Sequence, residues 1–264
     1  MKIGFIGLGN MGSSLAHAVA HTPDSHLLLS NHNPSKASSL QATIGGEIVS
    51  NREIAGHADL VFLGVKPHLV EQVLSDLQEA ICQNSSAIWI SMVAGLSLSQ
   101  LADYIPEDRL VRIMPNTPVA IGQGMTTYCL TNPELTSLVQ EVLVHSGQVQ
   151  EVPEQLIDAA TALAGCGPAF VYQMIEALTD AGVQHGLAAQ DAQFLVAQTL
   201  VGTAQMVLQS DKHPAQLRQE VTSPGGSTIA GVVTLEKLGF RYALIKAVSA
   251  ALKRTKKLGK SGHK

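Results

Sequence analysis

The sequence predicts an α/β protein in which a doubly wound parallel sheet is followed by an all-helical domain, and three observations predict it. Short apolar runs of strand type alternate with helical patterns through the first half of the chain. The first of these runs leads straight into a glycine turn. Beyond Pro153 the strand signal stops, and alanine, leucine and glutamine recur at helical spacing over residues 156–258. The expected division is therefore between residues 1–155 and 156–264.

The first run, residues 2–6, enters the pattern G-x-G-x-x-G made by Gly7, Gly9 and Gly12. In such a turn the first glycine permits the tight bend, the second lets the backbone approach a pyrophosphate, and the third lets the next helix pack on the sheet. Leu15, Ala18 and Val19 give the following segment an apolar face. The motif thus has the strand before it and the helix after it that a dinucleotide site needs, and the domain is of Rossmann type. Phosphates sit at the helix amino end, where unpaired N–H groups and the macrodipole favour an anion. Ile6, Gly7, Leu8, Gly9, Asn10 and Met11 are the expected cofactor contacts.

Further strands follow at residues 27–29, 60–64, 88–91 and 110–113. Residues 125–129 and 148–152 read as later strands of the same sheet, with a helix between them that Asn132 caps and Pro133 begins. The adenosine ribose of a bound dinucleotide lies at the end of the second strand, where an acidic side chain favours NAD. Here the stretch is Ser30-Asn-His-Asn-Pro-Ser-Lys36, with no carboxylate. Hydroxyl and amide donors beside a lysine suit a 2′-phosphate, so NADP(H) is preferred and NAD(H) is the alternative. The same polar turn can cap the next helix. Asn31 and Asn51 join the cofactor set. Strand carboxyl ends form the ligand crevice of an open sheet, which adds Val65, Lys66 and Pro67, and then Val93 and Ala94, where small residues let a flat nicotinamide approach the backbone. The rigid loop Arg112-Ile-Met-Pro-Asn-Thr-Pro118 carries Asn116, whose amide suits a polar substrate group.

The composition, 45% hydrophobic and 14% charged over 264 residues, allows real cores in two domains. A net charge of −4 gives no reason for a nucleic-acid partner. No apolar run reaches the roughly 20 residues of a membrane span. The first residues read as a strand and not a secretion signal, so a cytoplasmic location is expected. Cys82, Cys129 and Cys166 read as reduced thiols, and the ten histidines as scattered singly with no H-x-x-x-H pair, mostly surface or packing residues, with no metal assigned.

In the helical half, residues 170–178 and 194–208 have wide apolar faces with few charges, which need burial. A dimer through this domain is expected, against the alternative of a closed monomeric core. The basic tail from Lys253 reads as a solvated final turn and a frayed end. The loop Val221-Thr-Ser-Pro-Gly-Gly-Ser-Thr228 is a second glycine-bearing loop opening a helix. N–H groups of Gly226, Ser227 and Thr228 can hold a carboxylate, with hydroxyls from Ser223 and Thr228.

In Phe5-Ile-Gly-Leu-Gly-Asn-Met11, Val65-Lys-Pro67, Arg112 to Pro118, Ala164-Gly-Cys-Gly-Pro-Ala169 and Val221-Thr-Ser-Pro-Gly-Gly-Ser-Thr-Ile229, the chain resembles pyrroline-5-carboxylate reductases over nearly its whole length. Cys166 stands where that family suggests serine. The resemblance implies hydride transfer to the C=N bond of a cyclic imine carboxylate, the last step of proline synthesis. It also implies a substrate site of Ser223, Gly225, Gly226, Ser227 and Thr228 with Thr228 catalytic, and a homodimer or a pentamer of dimers. An acidic residue upstream of the loop is either Asp211 or Glu220. The alternative is a 3-hydroxyacid dehydrogenase, whose opening is equally similar. Those enzymes use a lysine on a helix of the second domain, and this chain has none between Lys66 and Lys212.

Overall fold

The computed structural model describes residues 1–261. By contacts the chain forms two compact units, residues 1–168 with the end of the chain from Ala250, and residues 169–249. The first unit alternates β1 (Lys2–Ile6), α1 (Asn10–Val19), β2 (His26–Ser30), α2 (Pro34–Ile44), β3 (Glu47–Ile48), α3 (Asn51–His57), β4 (Leu60–Leu63), α4 (Val70–Gln83), β5 (Ile88–Ser91), the short α5 (Leu98–Leu101), β6 (Leu110–Met114), β7 (Gly124–Leu130), α6 (Thr136–Leu143), β8 (Gly147–Glu151) and α7 (Glu154–Ala160). Its eight strands are ordered β3-β2-β1-β4-β5-β6-β7-β8.

Side chains alternate across the sheet. Ile3, Phe5, Leu60 and Phe62 join the core on one face, and Ile6, Val61, Leu63 and Trp89 the core on the other. Burial on both faces is why these strands read as continuous apolar runs. Phe5 and Phe62, paired in register, stack with ring centroids 4.6 Å apart.

Two features of the sheet correct the sequence reading. β6 and β7 are antiparallel, so the sheet is mixed. The connection over residues 115–123 holds only a 3₁₀ turn, too short for the crossover that a parallel partner requires. β3, two residues long at the edge, was too short to show a pattern.

The change from strand to helix near residue 155 is not where the packing changes. α7 stays on the sheet, with Ile157 and, in the π-helical turn Thr161–Gly165, Ala162 fully buried. The contact boundary accordingly falls after Pro168.

The second unit is all helical: α8 (Gly167–Gln184), α9 (Ala189–Leu208), α10 (Pro214–Glu220), α11 (Ser227–Lys237) and the first part of α12 (Phe240–Ser261). Among the described residues of 169–249, Ala192 is the one buried hydrophobic. Phe194, Val201 and Leu208, at seven-residue spacing on α9, are 68%, 55% and 81% exposed. The closed monomeric core is therefore not formed within this unit. The basic tail runs as helix to Ser261; the side chains of Lys260 and Lys264 lie outside the described residues. Among the described residues, no helix is long and apolar enough to cross a membrane.

Candidate active site

The glycine turn performs three separate tasks. Gly7 has φ +98°, and a Cβ there would lie 2.7 Å from the carbonyl carbon of Gly64, so the turn is folded against the end of β4. A Cβ on Gly12 would collide with the Gly7 carbonyl oxygen, so α1 packs against the turn itself. At Gly9 a Cβ would meet nothing within 4 Å. This open position caps α1 without any side-chain hydrogen bond, and no acidic residue stands in the first turn. An uncapped helix end beside open space is a fitting seat for a dinucleotide pyrophosphate.

Between β1 and β4 the strand order reverses direction, the place where open α/β sheets bind ligands. A cleft of about 890 Å³ lies there, lined by Ile6, Gly7, Leu8, Gly9, Asn31, Asn51, Val65 and Lys66 of the expected set. Asn10 lines an adjoining groove with Ser35 and Lys36. Four expected residues are not among the lining residues. Met11 packs against the core, Pro67 opens a 3₁₀ turn, and Val93 buries its side chain, while the neighbouring Ala94 is exposed. Val93 and Ala94 thus have main chain, rather than a side-chain wall, to offer a cofactor.

Asn31, Asn33 and Ser35, after β2, are committed to the protein. Asn31 Oδ1 accepts the Leu8 N–H at 3.0 Å, and its Nδ2 donates to the Asn33 carbonyl at 3.0 Å. Asn33 caps α2, accepting from the Ser35 N–H and hydroxyl at 3.0 and 2.7 Å. The Ser30 hydroxyl donates to Asn51 Oδ1 at 2.6 Å. These hydrogen bonds hold Asn31 and Asn51 in the wall of the cleft. Ser50 and Glu53 form a capping box on α3, and the Ser50 hydrogen bonds hold the Glu53 carboxyl below its ordinary range. That S-x-x-E signature was legible and would have placed the start of α3 beside the cleft.

Asn116 is a bracket. Its Nδ2 donates to the Ala164 carbonyl at 3.1 Å and its Oδ1 accepts the Met125 N–H at 2.9 Å, so the amide expected to meet substrate is engaged at both ends by main chain. Sequence reasoning missed the task of Arg112. Its buried guanidinium donates to Asp158 at 3.0 Å and lies 3.6 Å from Glu154, whose carboxylate also accepts the Leu98 N–H at 2.6 Å. This ties α7 and α5 to β6. Cys129, opposite Arg112 in the register, has its thiol pushed up to about 12, mainly by burial and then by the Glu154 charge. All three cysteines are free. His17 and His21 stand at an H-x-x-x-H spacing that the sequence reading passed over, and they share a groove with His145. Among the described residues, no group of three metal-ligating side chains is placed to hold an ion.

In the second unit, residues 221–226 turn into α11. Gly225 has φ +70°, and the Gly226 N–H donates to the Ser223 carbonyl at 3.1 Å. One of the three N–H groups expected for an anion is therefore used by the loop itself. Gly226 caps α11 without a side-chain hydrogen bond, which leaves Ser227 and Thr228 in the open first turn. Ser223 and Pro224 share a groove of about 560 Å³ with Arg218. Of the two acidic candidates, Glu220 is held by Lys212 at 2.7 Å.

Residues 154–258 match the family model described as pyrroline-5-carboxylate reductase dimerisation, and residues 2–95 match one described as NADP oxidoreductase coenzyme F420-dependent. The pyrroline-5-carboxylate reductase of Synechocystis is 39% identical, over 98% of this chain and 99% of that protein. That of Escherichia coli is 36% identical, over 98% and 99%. A solved structure of the Plasmodium falciparum pyrroline carboxylate reductase with NADP bound superposes with a TM-score of 0.86 at 36% identity, covering 98% of each chain. Sequence matched almost end to end, together with the same fold, shows that this chain belongs to the pyrroline-5-carboxylate reductase family.

Proposed function

We propose that the chain reduces the C=N bond of 1-pyrroline-5-carboxylate to L-proline, using NADP(H) in preference to NAD(H). The observation that carries this reading is the uncapped start of α11 behind the Ser223 to Thr228 loop, in a chain of this family. A reduced nicotinamide supplies the hydride when bound. The cleft and groove residues Ile6 to Asn10, Asn31, Asn51, Val65 and Lys66 seat the dinucleotide, with main chain near Met11, Pro67, Val93 and Ala94 completing the wall. NADP in the Plasmodium relative supports the choice of cofactor.

The N–H groups of Ser227 and Thr228 hold the substrate carboxylate, each charge-assisted bond contributing about 1.5 to 3 kcal/mol. The Ser223 hydroxyl adds a donor, Gly225 and Gly226 shape the turn, and Asn116 acts from behind by fixing the loop after β6. Thr228 hydrogen-bonds the ring nitrogen and, once hydride has been transferred, relays to the amine a proton taken from solvent, so that its own hydroxyl is restored. A protonated imine is already electrophilic, so positioning and electrostatics supply most of the rate. The helical unit pairs two chains into a dimer, and the dimer is the building block of a pentamer of dimers. Three free thiols fit a cytoplasmic enzyme.

The test is NADPH oxidation at 340 nm with pyrroline-5-carboxylate, run beside NADH, and beside 3-hydroxyisobutyrate with the oxidised cofactors. Imine-dependent loss of absorbance is expected. Turnover with the hydroxyacid alone would return the assignment to the dehydrogenase alternative. Thr228→Ala should lower kcat by roughly 10²- to 10⁴-fold while leaving cofactor binding intact.

A further inference from the structure

A groove of about 580 Å³, sharing no lining residue with the dinucleotide cleft, holds three histidines that the proposed reaction does not use. His17 stands in the last turn of α1 and His21 two residues past its end. Their four-residue spacing is the one at which a single helix turns two imidazoles toward one metal ion. His145 comes from the 3₁₀ turn Val144–Ser146 before β8, and its ring centre lies 6.0 Å from that of His21. With metal–nitrogen bonds of about 2.1 Å, two imidazoles on one zinc ion have ring centres roughly 5 to 6 Å apart. The main chain beneath these side chains is held in place. The His21 N–H donates to the Ala18 carbonyl at 3.2 Å, which keeps His21 in a tightened final turn. Across the groove, the Ser146 hydroxyl donates to the Leu143 carbonyl at 2.6 Å, and a Cβ on Gly122 would lie 3.2 Å from the His145 carbonyl oxygen.

We propose that His17, His21 and His145 form a site for one divalent transition-metal ion of the zinc type, which clamps the carboxyl end of α1 to the turn before β8. All three side chains are exposed, and among the described residues none has a hydrogen-bond or ion-pair partner to give up. His21 and His145 stand at the separation a shared ion requires; the three are not gathered round one point, so His17 turns about its own side-chain bonds to complete the set. The other residues lining the groove bring no charge, and the negative end of the α1 dipole favours a cation there. Imidazole nitrogens suit Zn²⁺, Ni²⁺ and Cu²⁺, whereas Mg²⁺ and Ca²⁺ take oxygen ligands. Three protein ligands leave the fourth tetrahedral position to water. The ion acts on the stability of the first unit, through a link between two segments more than a hundred residues apart in the chain.

The experiment titrates the full chain with ZnCl₂ by calorimetry in a buffer containing MgCl₂, beside His17→Gln, His21→Gln and His145→Gln. One Zn²⁺ should bind per chain in the groove without competition from Mg²⁺. Held at about a hundred times its Kd, the ion should raise the midpoint of thermal unfolding by roughly 5 to 10 °C. Even outer partners of metal ligands are worth about 10- to 100-fold in affinity, so each substitution should weaken binding by about 100-fold and remove most of that rise. Bound Co²⁺ should show the intense visible bands of a tetrahedral site, and lose them in each variant. NADPH binding, followed by nicotinamide fluorescence, checks that every variant is folded, because none of the three histidines lines the cleft. No Zn²⁺ binding, displacement by Mg²⁺, or affinity unaltered by any one of the three substitutions overturns the proposal. None of these results bears on the reductase reading, which the imine assay tests separately.

Discussion

The two units solve the problem of burial differently. Residues 1–168 enclose Trp89, Tyr128, Phe5 and Phe62 on the two faces of their own sheet. Residues 169–249 expose Phe194, Val201, Leu208 and Tyr242, and bury one alanine. Isolated helices draw most of their stability from packing an apolar face, so the second unit requires surface supplied by another chain. The match of residues 154–258 to a dimerisation family fits that requirement. Burial in the first unit is thus a property of the single chain, and burial in the second a property of the assembly.

The largest effect should come from breaking the assembly. Val201→Asp, in the exposed stripe of α9, would place a carboxylate where a partner face packs. The dimer should weaken by roughly 10³-fold, about 4 kcal/mol, visible by sedimentation, while NADPH binding persists. An unchanged sedimentation profile would mean that this stripe faces water in the functional form. A smaller loss, about 3 kcal/mol in urea unfolding, is expected for Arg112→Leu, because Asp158 and Glu154 are left without their buried cation. It should destabilise the first unit equally at high and low protein concentration, whereas Val201→Asp acts through association.

The smallest effect concerns alkaline pH. The Cys129 thiol is raised from an ordinary value near 9 to about 12, so the folded state keeps its proton longer than the unfolded chain. Its contribution is complete below the unfolded value and is lost as pH rises through the folded one, amounting to roughly 1 kcal/mol between pH 8 and 10. Burial raises the neighbouring Tyr128 in the same direction. Cys129→Ala should flatten the alkaline limb of urea unfolding; an unaltered limb would show that the thiol is not protected in solution.

What was legible follows from how local each cause is. The first strand, the three glycines and the helical second half are written in consecutive residues, and each element lies within a residue or two of its expected place. The reversed β7 depended on the length of a connection rather than on any pattern within the strand. The roles of Arg112 and Asn116 were hidden because their partners, Asp158 and Ala164, are 46 and 48 residues away. The amides after β2 were read as polar donors, and Asn31 lines the cleft. Whether such a group faces ligand or protein depends on hydrogen bonds to Leu8 and on helix capping, which composition does not encode.

The bare amino end of α1 also bears on how the chain survives between turnovers. Its first amides lack helical partners, so a dinucleotide bound there, as proposed above, would complete the helix as a detachable cap. A ligand held at a hundred times its Kd adds about 2.7 kcal/mol to the folded state by mass action. Hydrogen exchange at Asn10 to Gly12, the amides without helical partners, should therefore slow when dinucleotide is added, and the bound nucleotide should raise the temperature at which the protein unfolds.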